Sequence, residues 1–276
     1  ESFEGQIAIF RTYRNQVLSS SQVADNYNAV LNSAPAFTLP ETMLEYDAAK
    51  DDGLNGTWEN TGTVSGRNAS LSGETYVTNP STSLPGITAT YDFDGSGSGG
   101  TIGSLNNLRN GQDVSFEAWI RPSDLTGDEV IFETGGGNGV GIFLGGGSSG
   151  DPDLSPLADS EISFSVTQNS HGNRTAMATA DLSAIGVDEF IHVLGTFDIS
   201  ANEAALYING ALEDTDAGVN ITDWSGGDGA GLGLIGGANM GGIGGGNQGF
   251  TNFEGEIAIF NVLDRAIGAD EALRRY

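Results

Sequence analysis

The chain has 276 residues and no cysteine, and its 37 acidic and 10 basic side chains give a formal charge of −27. The length suffices for one large β domain with its own hydrophobic core, and the lack of cysteine excludes disulfides, thiolate zinc sites and cysteine nucleophiles. A field this negative repels phosphate, so we expect no nucleic-acid partner, and no apolar stretch is long enough for membrane insertion.

The first element in the chain is a sequence that returns near its end. Seven of the eight residues from position 3 to 10 recur 250 positions later, in the order Phe, Glu, Gly, Ile, Ala, Ile, Phe. A fixed offset of this size is typical of tandem whole domains. Since the sequence also starts at Glu1 rather than Met, we expect a piece of a longer protein that begins with the tail of a preceding repeat.

A linker follows this tail. Residues 32–41 (NSAPAFTLPE) contain two prolines and several small residues, which end the helix predicted for Ser21–Leu31. The sequence therefore predicts two units. Residues 1–38 form a closing strand, a helix and a linker, and residues 39–276 form a domain.

Beyond residue 41 the chain consists of short apolar stretches separated by turns rich in Gly, Asn, Asp and Ser. In residues 114–120 Val, Phe, Ala and Ile alternate with Ser, Glu and Trp, which is the period of a strand. Strands are predicted at Thr88–Phe93, Val114–Ile120, Val130–Phe132, Val140–Leu144, Ile162–Val166, Phe190–Phe197, Ala204–Ile208, Leu232–Ile235 and Glu256–Val262. A helix is expected at Ala269–Arg275. Many short strands with almost no helix predict an all-β fold of two packed sheets.

Glycine is concentrated in residues 225–249, where thirteen of the 25 residues are glycine. This predicts a long surface loop. The loop contains GLGLIG at 231–236, a match to the dinucleotide-binding fingerprint. Because no helix is expected after it, the motif lacks the context that it needs, and no nucleotide site is predicted.

Four stretches carry a resemblance to a known family. They are VSFEAWIRPSD (114–124), EFIHVLGTFD with EAALYINGALEDT (189–198 and 203–215), LGLIGG (232–237) and FEGEIAIFNVLDRAIGADE (253–271). Together they resemble laminin-G-like domains of the concanavalin A-like lectin and glucanase superfamily. The resemblance covers about residues 41–276 and is more specific in the C-terminal half. It implies an antiparallel two-sheet jelly-roll sandwich with a short C-terminal helix.

The residues do not favour catalysis. Relatives that cleave β-glucans carry Glu-x-Asp-x-Glu on one strand face, and the nearest string here, EISFS, keeps only Glu161. Glu129 and Glu133 are expected on one face of another strand, but without an acid between them. His171 and His192 are too few for a His-rich metal site, and His192 is expected to lie in a core strand. The sequence predicts a non-catalytic protein with no catalytic residue.

The resemblance also implies a calcium ion, which this family often binds at the rim of the sandwich through oxygen ligands. The acidic position of the closing strand falls on Glu256, and the implied partners from the early loops are Asn60, Gly62, Asn68 and Asp47. The loop from Glu59 to Asn68 departs from the usual family pattern by a three-residue insertion. A second candidate pair is Asp92 and Asp94, for which the alternative is a strand that ends in an Asp-Gly turn.

A glycan site requires an aromatic platform beside polar groups. Trp58, Trp224, Tyr76 and Phe250 lie in loop-like contexts, and they are the predicted glycan or partner contacts. Exposed tryptophans fit protein contacts equally well. Trp119 is expected to pack in the core.

The N-terminal strand, with apolar Phe3, Ile7, Ile9 and Phe10, would be prone to aggregation if it stayed unpaired. It either packs on the sheet of this domain, belongs to an upstream domain, or completes the sheet of a neighbouring molecule by β-strand addition. Repeated head to tail, the last arrangement makes a filament.

The sequence therefore leaves three functions open. The first is a non-catalytic structural or adhesion module that assembles head to tail through the N-terminal strand, with copies of itself or neighbouring repeats as partners. The second is a calcium-dependent glycan-binding module, and the third is a glycan-active enzyme. An excess of carboxylates suits salty or calcium-containing water, which favours an extracellular or cell-surface location.

Overall fold

The structure is a computed structural model, and it describes residues 41–105, 112–135, 138–146, 157–168, 175–218, 220–222, 224, 229–234 and 249–276. In these ranges the chain forms two β-sheets, which we call sheet A and sheet B, and one short helix at Ala269–Arg275, the C-terminal helix. No helix in this described part has the length and hydropathy needed to span a membrane.

Sheet A contains eight of the described strands, in the order β14-β13-β12-β7-β17-β5-β4, with β1 also paired to β17. Their bounds are β1 Leu44–Asp47, β4 Thr75–Thr78, β5 Ala89–Asp94, β7 Val114–Pro122, β12 Ile191–Asp198, β13 Glu203–Ile208, β14 Ala211–Ala217 and β17 Glu254–Leu263. All of these pairs are antiparallel. Strand β17 lies at the centre, because one of its edges pairs with β7 and the other pairs first with β5 and then with β1.

Sheet B contains nine of the described strands, in the order β11-β10-β9-β8-β15-β6-β3-β2, with β16 paired to β8. Their bounds are β2 Thr57–Trp58, β3 Ala69–Ser72, β6 Gly99–Gly103, β8 Glu129–Glu133, β9 Gly139–Leu144, β10 Glu161–Thr167, β11 Thr175–Asp181, β15 Ala230–Leu232 and β16 Thr251–Asn252. The pair of β16 and β8 is parallel and two residues long, and the other pairs of sheet B are antiparallel.

The core lies between the two sheets and is rich in aromatic rings. Phe132 of sheet B contacts Phe116 and Phe260 of sheet A, with ring centroids 5.0 and 4.6 Å apart. Each fully buried side chain of this size contributes about 1.5–3 kcal/mol relative to an exposed one. The alternating residues of the central strands supply these rings, as the period-two pattern predicts.

The C-terminal helix covers part of the outer face of sheet A. Ile267 and Ala272 pack there against apolar side chains of β12, β13 and β17, which include Leu194, Tyr207 and Leu263. A second small cluster on β7, β17 and the segments that precede β5 and β12 forms around Phe190 and Ala258. Part of the outer face of sheet A is therefore also buried by apolar side chains.

Carboxylates connect the two sheets where β14 and β11 lie side by side. The backbone N–H groups of Met177 and Thr179 on β11 donate to the side chains of Asp216 and Asp214 on β14, at 2.8 and 3.0 Å. Strand edges carry unpaired backbone groups that template further pairing. These two aspartates occupy two of the backbone donors on the outer edge of β11.

The predicted fold class is confirmed: the chain is an all-β, two-sheet sandwich with a short C-terminal helix. The helix has the predicted bounds, and β17 extends the predicted strand at both ends. The strand at 1–38 with Phe3, Ile7, Ile9 and Phe10, the helix at Ser21–Leu31 and most of the glycine-rich segment lie outside the described residues, so these predictions and the division at residue 38 remain predictions.

Candidate functional site

A polar cleft of about 340 Å³ opens at the rim of the sandwich. It lies where the chain leaves β1 through a 3₁₀ turn at Ala48–Lys50 and returns through β2 towards β3. Its lining consists of Lys50, Asp51, Asp52, Leu54, Asn55, Thr57, Glu59 and Asn68. We call this feature the rim cleft.

Side-chain bonds to the backbone fix the shape of the rim cleft. Asp51 accepts from the N–H groups of Gly53 and Glu59, at 3.1 and 2.8 Å, and Asp52 accepts from the N–H of Leu54 at 2.8 Å. Asn55 and the following glycine have positive φ, which Asn and Gly tolerate in tight turns. The aspartates thus hold the loop that presents the other polar groups.

The rim cleft is acidic, with Asp51, Asp52 and Glu59 in its lining. Lys50 is its cation and donates to Glu45 at 2.6 Å, with Asp47 3.7 Å away. The hydrogen bond with Glu45 is the main reason that the pKa of Lys50 lies above its ordinary value. The ammonium group therefore stays charged and positioned at the edge of the cleft.

Three of the predicted metal ligands come together beside the rim cleft. The Asn60 side-chain oxygen accepts from the N–H groups of Glu45 and Gly62, both at 2.9 Å, and Asn68 accepts from the N–H of Asn60 at 3.1 Å. The Asn60 oxygen therefore attaches the loop to β1, and the Asn68 oxygen bonds to the backbone within the loop. Asp47 is nearby but caps the 3₁₀ turn by accepting from the N–H of Ala49.

Glu256 does not join this group. It forms an ion pair with Arg121 and accepts from the Thr90 hydroxyl, opposite Asp92 in the pairing of β17 with β5. Burial, and then the charge of Glu256, raises the pKa of Asp92. The ligands implied by the family resemblance therefore lie in two separate places: Glu256 on β17, and the others beside the rim cleft. They do not fit a single calcium ion.

Asp94 ends β5 in an Asp-Gly turn, which was the alternative to a metal ligand. The next residue, Gly95, has a φ of +69°. Its carboxylate accepts from the backbone of Ser96 and from Ser98. The backbone bond from Ser96 is the main cause that lowers its pKa to about 2. Within the described ranges, no group of three or more His, Cys, Asp or Glu side chains could hold a metal ion.

The expectation that the predicted aromatic contacts are exposed is wrong for three of them. Trp58, Trp224 and Phe250 are 0%, 1% and 2% exposed. Trp58 packs against Tyr91, with ring centroids 4.8 Å apart, and Trp224 contacts Phe116. Long-range packing buries these rings although their neighbours in sequence are polar, so they cannot present a face to a sugar.

Tyr76 lies on strand β4 rather than in a loop and is half-buried. Its hydroxyl shares its one proton between the carbonyl oxygens of Ala48 and Asp51, at 3.0 and 2.9 Å. It therefore supports the floor of the rim cleft from below.

Trp119 also differs from the prediction: it lies on the outer face of sheet A, stacked on Tyr276 with centroids 5.8 Å apart.

Glu129 and Glu133 do not face each other. A β-bulge at Ile131 shifts the register of β8 on β9, so that Glu129 pairs with Leu144 and Glu133 pairs with Gly141. Paired residues share a face, and Leu144 and Gly141 point to opposite faces of β9. The prediction that both glutamates lie on one face is therefore wrong.

His192 is fully buried in strand β12, as expected.

Sequence reasoning missed most of the rim cleft. Asp51, Asp52, Asn55 and Glu59 have no periodic pattern, and the signal that could have found them is the run DDGLNG between two strands. Such a run of Asp, Asn and Gly is typical of a tight loop with polar side chains on the surface.

The sequence from residue 94 to 272 matches the family model described as the concanavalin A-like lectin/glucanases superfamily. The chain belongs to this family, as its motifs had indicated. No curated protein sequence matches the chain.

Solved structures share the fold at low sequence identity. The receptor-binding domain of botulinum neurotoxin type G has a TM-score of 0.53 and 14% identity, covering 86% of this chain and 51% of that one. The binding domain of Paraclostridial Mosquitocidal Protein 1 has a TM-score of 0.57 and 14% identity, covering 85% and 51%. The ligand-binding domain of botulinum neurotoxin serotype D, solved with N-acetylneuraminic acid, has a TM-score of 0.52 and 16% identity, covering 86% and 50%. The chain spans about half the length of these structures, and the likeness shows the fold alone.

Proposed function

We propose that this chain is a non-catalytic binding module of the extracellular space or cell surface, and that the rim cleft binds a glycan. The observation that carries the proposal is the lining of the cleft, where Lys50, Asn55 and Asn68 stand beside carboxylates and the exposed side chain of Leu54. Such groups can donate to and accept from several sugar hydroxyls, and Leu54 offers an apolar contact to a pyranose ring.

Charge narrows the class of glycan. Asp51, Asp52 and Glu59 line the cleft of a chain with a net charge of −27. Like charges brought together across an interface disfavour binding. A similar neurotoxin domain was solved with N-acetylneuraminic acid, an anionic sugar, but this cleft suits neutral or amino sugars better.

The absence of catalysis is part of the proposal. The bulge at Ile131 separates Glu129 from Glu133, and β10 itself continues from Glu161 with Ser163 and Ser165 on the same face. Asp181, the paired residue of Glu161 on β11, is engaged as an acceptor from Ser160 and Ser183. Glycoside hydrolysis requires two carboxyl groups across the scissile bond. Family membership allows either role, so the carboxylate geometry favours binding.

A glycan array with the full chain tests the proposal, followed by titration of the best neutral hit. We expect Asp52→Asn and Asn55→Ala to weaken binding about tenfold, since each removes a hydrogen-bonding group or its charge. The matched control is Asp188→Asn, an exposed aspartate outside the cleft, and it is expected to bind as the unchanged chain does. Binding of sialylated glycans alone, or neutral binding that both cleft variants retain, would refute the site.

Head-to-tail assembly is a second proposal, and one observation favours it. The sequence at residues 3–10 repeats that of β17, which pairs on both of its edges in sheet A. A segment with this pattern needs a sheet as its partner. The described domain already holds its own β17, so the partner would be another copy or an upstream repeat. Among the described strands, β4 is paired on one side and offers an edge of four residues.

Light scattering coupled to size exclusion, over a range of protein concentrations, tests assembly in the full chain. Oligomers that grow with concentration, and that Ile7→Asp with Ile9→Asp abolishes, would support it. Asn15→Asp with Gln16→Asp adds the same charge beyond the stretch that corresponds to β17 and is the control. A strict monomer of the unchanged chain at every concentration contradicts assembly.

A further inference from the structure

Two of the described Asn-Gly pairs form tight turns in which both residues have a positive φ. The angles are +70° and +59° at Asn55 and Gly56, and +51° and +77° at Asn209 and Gly210. Asparagine and glycine are the residues that tolerate this left-handed region best. The two pairs therefore share their sequence and the sign of φ, and what separates them is their surroundings.

An Asn-Gly pair can lose its side-chain amide in a reaction that needs only water. The backbone nitrogen of the glycine attacks Cγ of the asparagine, and its proton leaves with the side-chain NH₂ group as ammonia. The cyclic succinimide that results is opened by water to aspartate or isoaspartate. Glycine favours the attack because it has no Cβ to shield the nitrogen and because its backbone rotates freely. The product carries a negative charge where the asparagine was neutral.

The turn at Asn209 holds its side chain away from this reaction. The side-chain oxygen of Asn209 accepts from the N–H of His192 at 2.9 Å, and the N–H of Asn209 donates to the carbonyl of His192, also at 2.9 Å. Gly210 is buried against the end of the C-terminal helix, where an added Cβ would lie 3.0 Å from both Leu273 and Tyr276. Attack at Asn209 would therefore require the side chain to leave β12 and the packed hairpin to open.

The turn at Asn55 has none of these restraints. Asn55 and Gly56 are both exposed, and among the described residues none bonds to the side-chain amide of Asn55. The carbonyl oxygen of Gly56 accepts from the N–H of Leu71 at 2.9 Å, so the described contact of this glycine does not involve the nitrogen that would react. The amide of Asn55 can therefore turn towards that nitrogen without breaking a hydrogen bond of its own.

We propose that Asn55 is a site of spontaneous deamidation in the folded protein, whereas Asn209 is protected. The product is aspartate or isoaspartate at position 55, and ammonia is released. The pair Asn138-Gly139 is protected as well, because Gly139 is buried in strand β9 and pairs with Thr167 on β10. The fourth Asn-Gly pair of the sequence, at 110–111, lies outside the described residues.

Deamidation at Asn55 changes the chemistry of the rim cleft. Asn55 lines the cleft together with the carboxylates of Asp51, Asp52 and Glu59, so its product adds a further negative charge to this lining. The change also removes a hydrogen-bond donor, since an ionised carboxylate only accepts. This consequence rests on the proposed glycan site, which should lose affinity for neutral sugars as the protein ages. The modification itself does not depend on that function.

Peptide mapping by mass spectrometry tests the site after incubation of the full chain at mildly alkaline pH. Each product is identified by the mass gained when OH replaces NH₂, and isoaspartate is separated from aspartate by its elution. The same incubation in concentrated urea is the reference, because there no Asn-Gly pair is restrained by the fold. We expect Asn55 to react in the folded chain within about threefold of its rate in urea, and Asn209 to react at least about tenfold more slowly than in urea.

Gly56→Ala is a second test. An added Cβ there would meet the backbone oxygen of Leu71 at an ordinary distance of 3.4 Å. The methyl group shields the attacking nitrogen, so the folded variant should react at Asn55 about tenfold more slowly. Gly86→Ala, where a Cβ would meet nothing within 4 Å, is the matched control and should leave the rate at Asn55 unchanged. Circular dichroism shows whether each variant is folded.

Equal rates for Asn55 and Asn209 in the folded chain would overturn the proposal. So would an Asn55 that the fold slows, relative to urea, as strongly as it slows Asn209. Titration of a neutral glycan with Asn55→Asp tests the consequence for the cleft, and we expect weaker binding than in the unchanged chain. Deamidation of Asn55 together with a negative glycan array would retain the modification site and reject the cleft as a sugar site.

Discussion

Arg275 in the C-terminal helix donates through Nη1 to the carboxylate of Glu117 on β7 at 2.9 Å, and both side chains are 3% exposed. The other contacts of this carboxylate are the ring of His192, also at 2.9 Å, and the side-chain amide of Asn261 at 2.8 Å. Arg275 in turn contacts Glu271 within the same helix. This buried network attaches the helix to the outer face of sheet A.

Replacing Arg275 by Met should destabilise the domain by about 3 kcal/mol, because the change leaves Glu117 as a buried carboxylate without its guanidinium. The free energy of unfolding in urea measures the effect. Arg274→Met is the control, since Arg274 is exposed and surface ion pairs contribute about 0–1 kcal/mol. Adding Glu117→Gln to Arg275→Met should recover part of the loss. Equal losses for both arginine variants would contradict a special role of the buried pair.

The stability of the domain should fall in acid through Glu117. Burial alone would raise the pKa of this carboxyl, but the hydrogen bond and charge of His192, together with Arg275 and Asn261, lower it below the ordinary value of 4.5. A folded pKa below the unfolded one means that the stabilisation is present above pH 4.5 and is lost as the pH falls through the folded pKa. Urea unfolding between about pH 7 and pH 3 measures it, and Glu117→Gln should flatten this part of the curve. An equally steep curve for the variant would assign the acid sensitivity to other carboxylates.

Glu129 should have the opposite effect on the pH dependence. Burial is the main cause that raises its pKa to about 7, and the charges of Asp124 and Glu254 contribute. Because the folded state holds this proton more tightly, stability is greatest below the unfolded pKa and declines as the pH rises through about 7. Glu129→Gln should therefore stabilise the domain above pH 7 relative to the unchanged chain and match it near pH 4. The glutamine oxygen can still accept from the N–H of Glu254. A constant difference at all pH values would contradict this titration.

Local pattern predicted the strands that have period-two hydrophobicity and the C-terminal helix, because their burial repeats along the sequence. It failed for Trp58, whose two-residue strand is flanked by polar residues and which is buried by contacts with Tyr46 and Tyr91, 12 and 33 positions away. The sequence pattern failed to predict the rim cleft for the same reason. The bond from the N–H of Glu59 to Asp51 joins two ends of a loop that has no period.

The aspartates of β14 should protect the domain from self-association. Asp214 and Asp216 occupy the N–H donors of Thr179 and Met177 at the edge of β11. Asp214→Ala with Asp216→Ala removes the acceptors and leaves this edge free to pair with another chain. We expect faster growth of light scattering on incubation at raised concentration. Glu213→Ala with Thr215→Ala alters the exposed face of the same strand and is the control. Comparable scattering from both double variants would attribute association to a general loss of polar surface.

A methyl group at Gly195 should test how tightly the two sheets pack. Gly195 lies on β12, and a Cβ there would fall 2.2 Å from the ring of Phe164 on β10. Because the phenyl ring is fully buried, Gly195→Ala must displace it or spread the sheets, at a cost of about 1–3 kcal/mol. Urea unfolding measures the loss, and Gly86→Ala, where a Cβ would meet nothing within 4 Å, should change stability little. In a chain that already carries Phe164→Leu, Gly195→Ala should cost less free energy of unfolding than it does in the unchanged chain. The smaller side chain leaves space for the methyl group. Strictly additive losses in this double variant would show that the ring is not what opposes the methyl group.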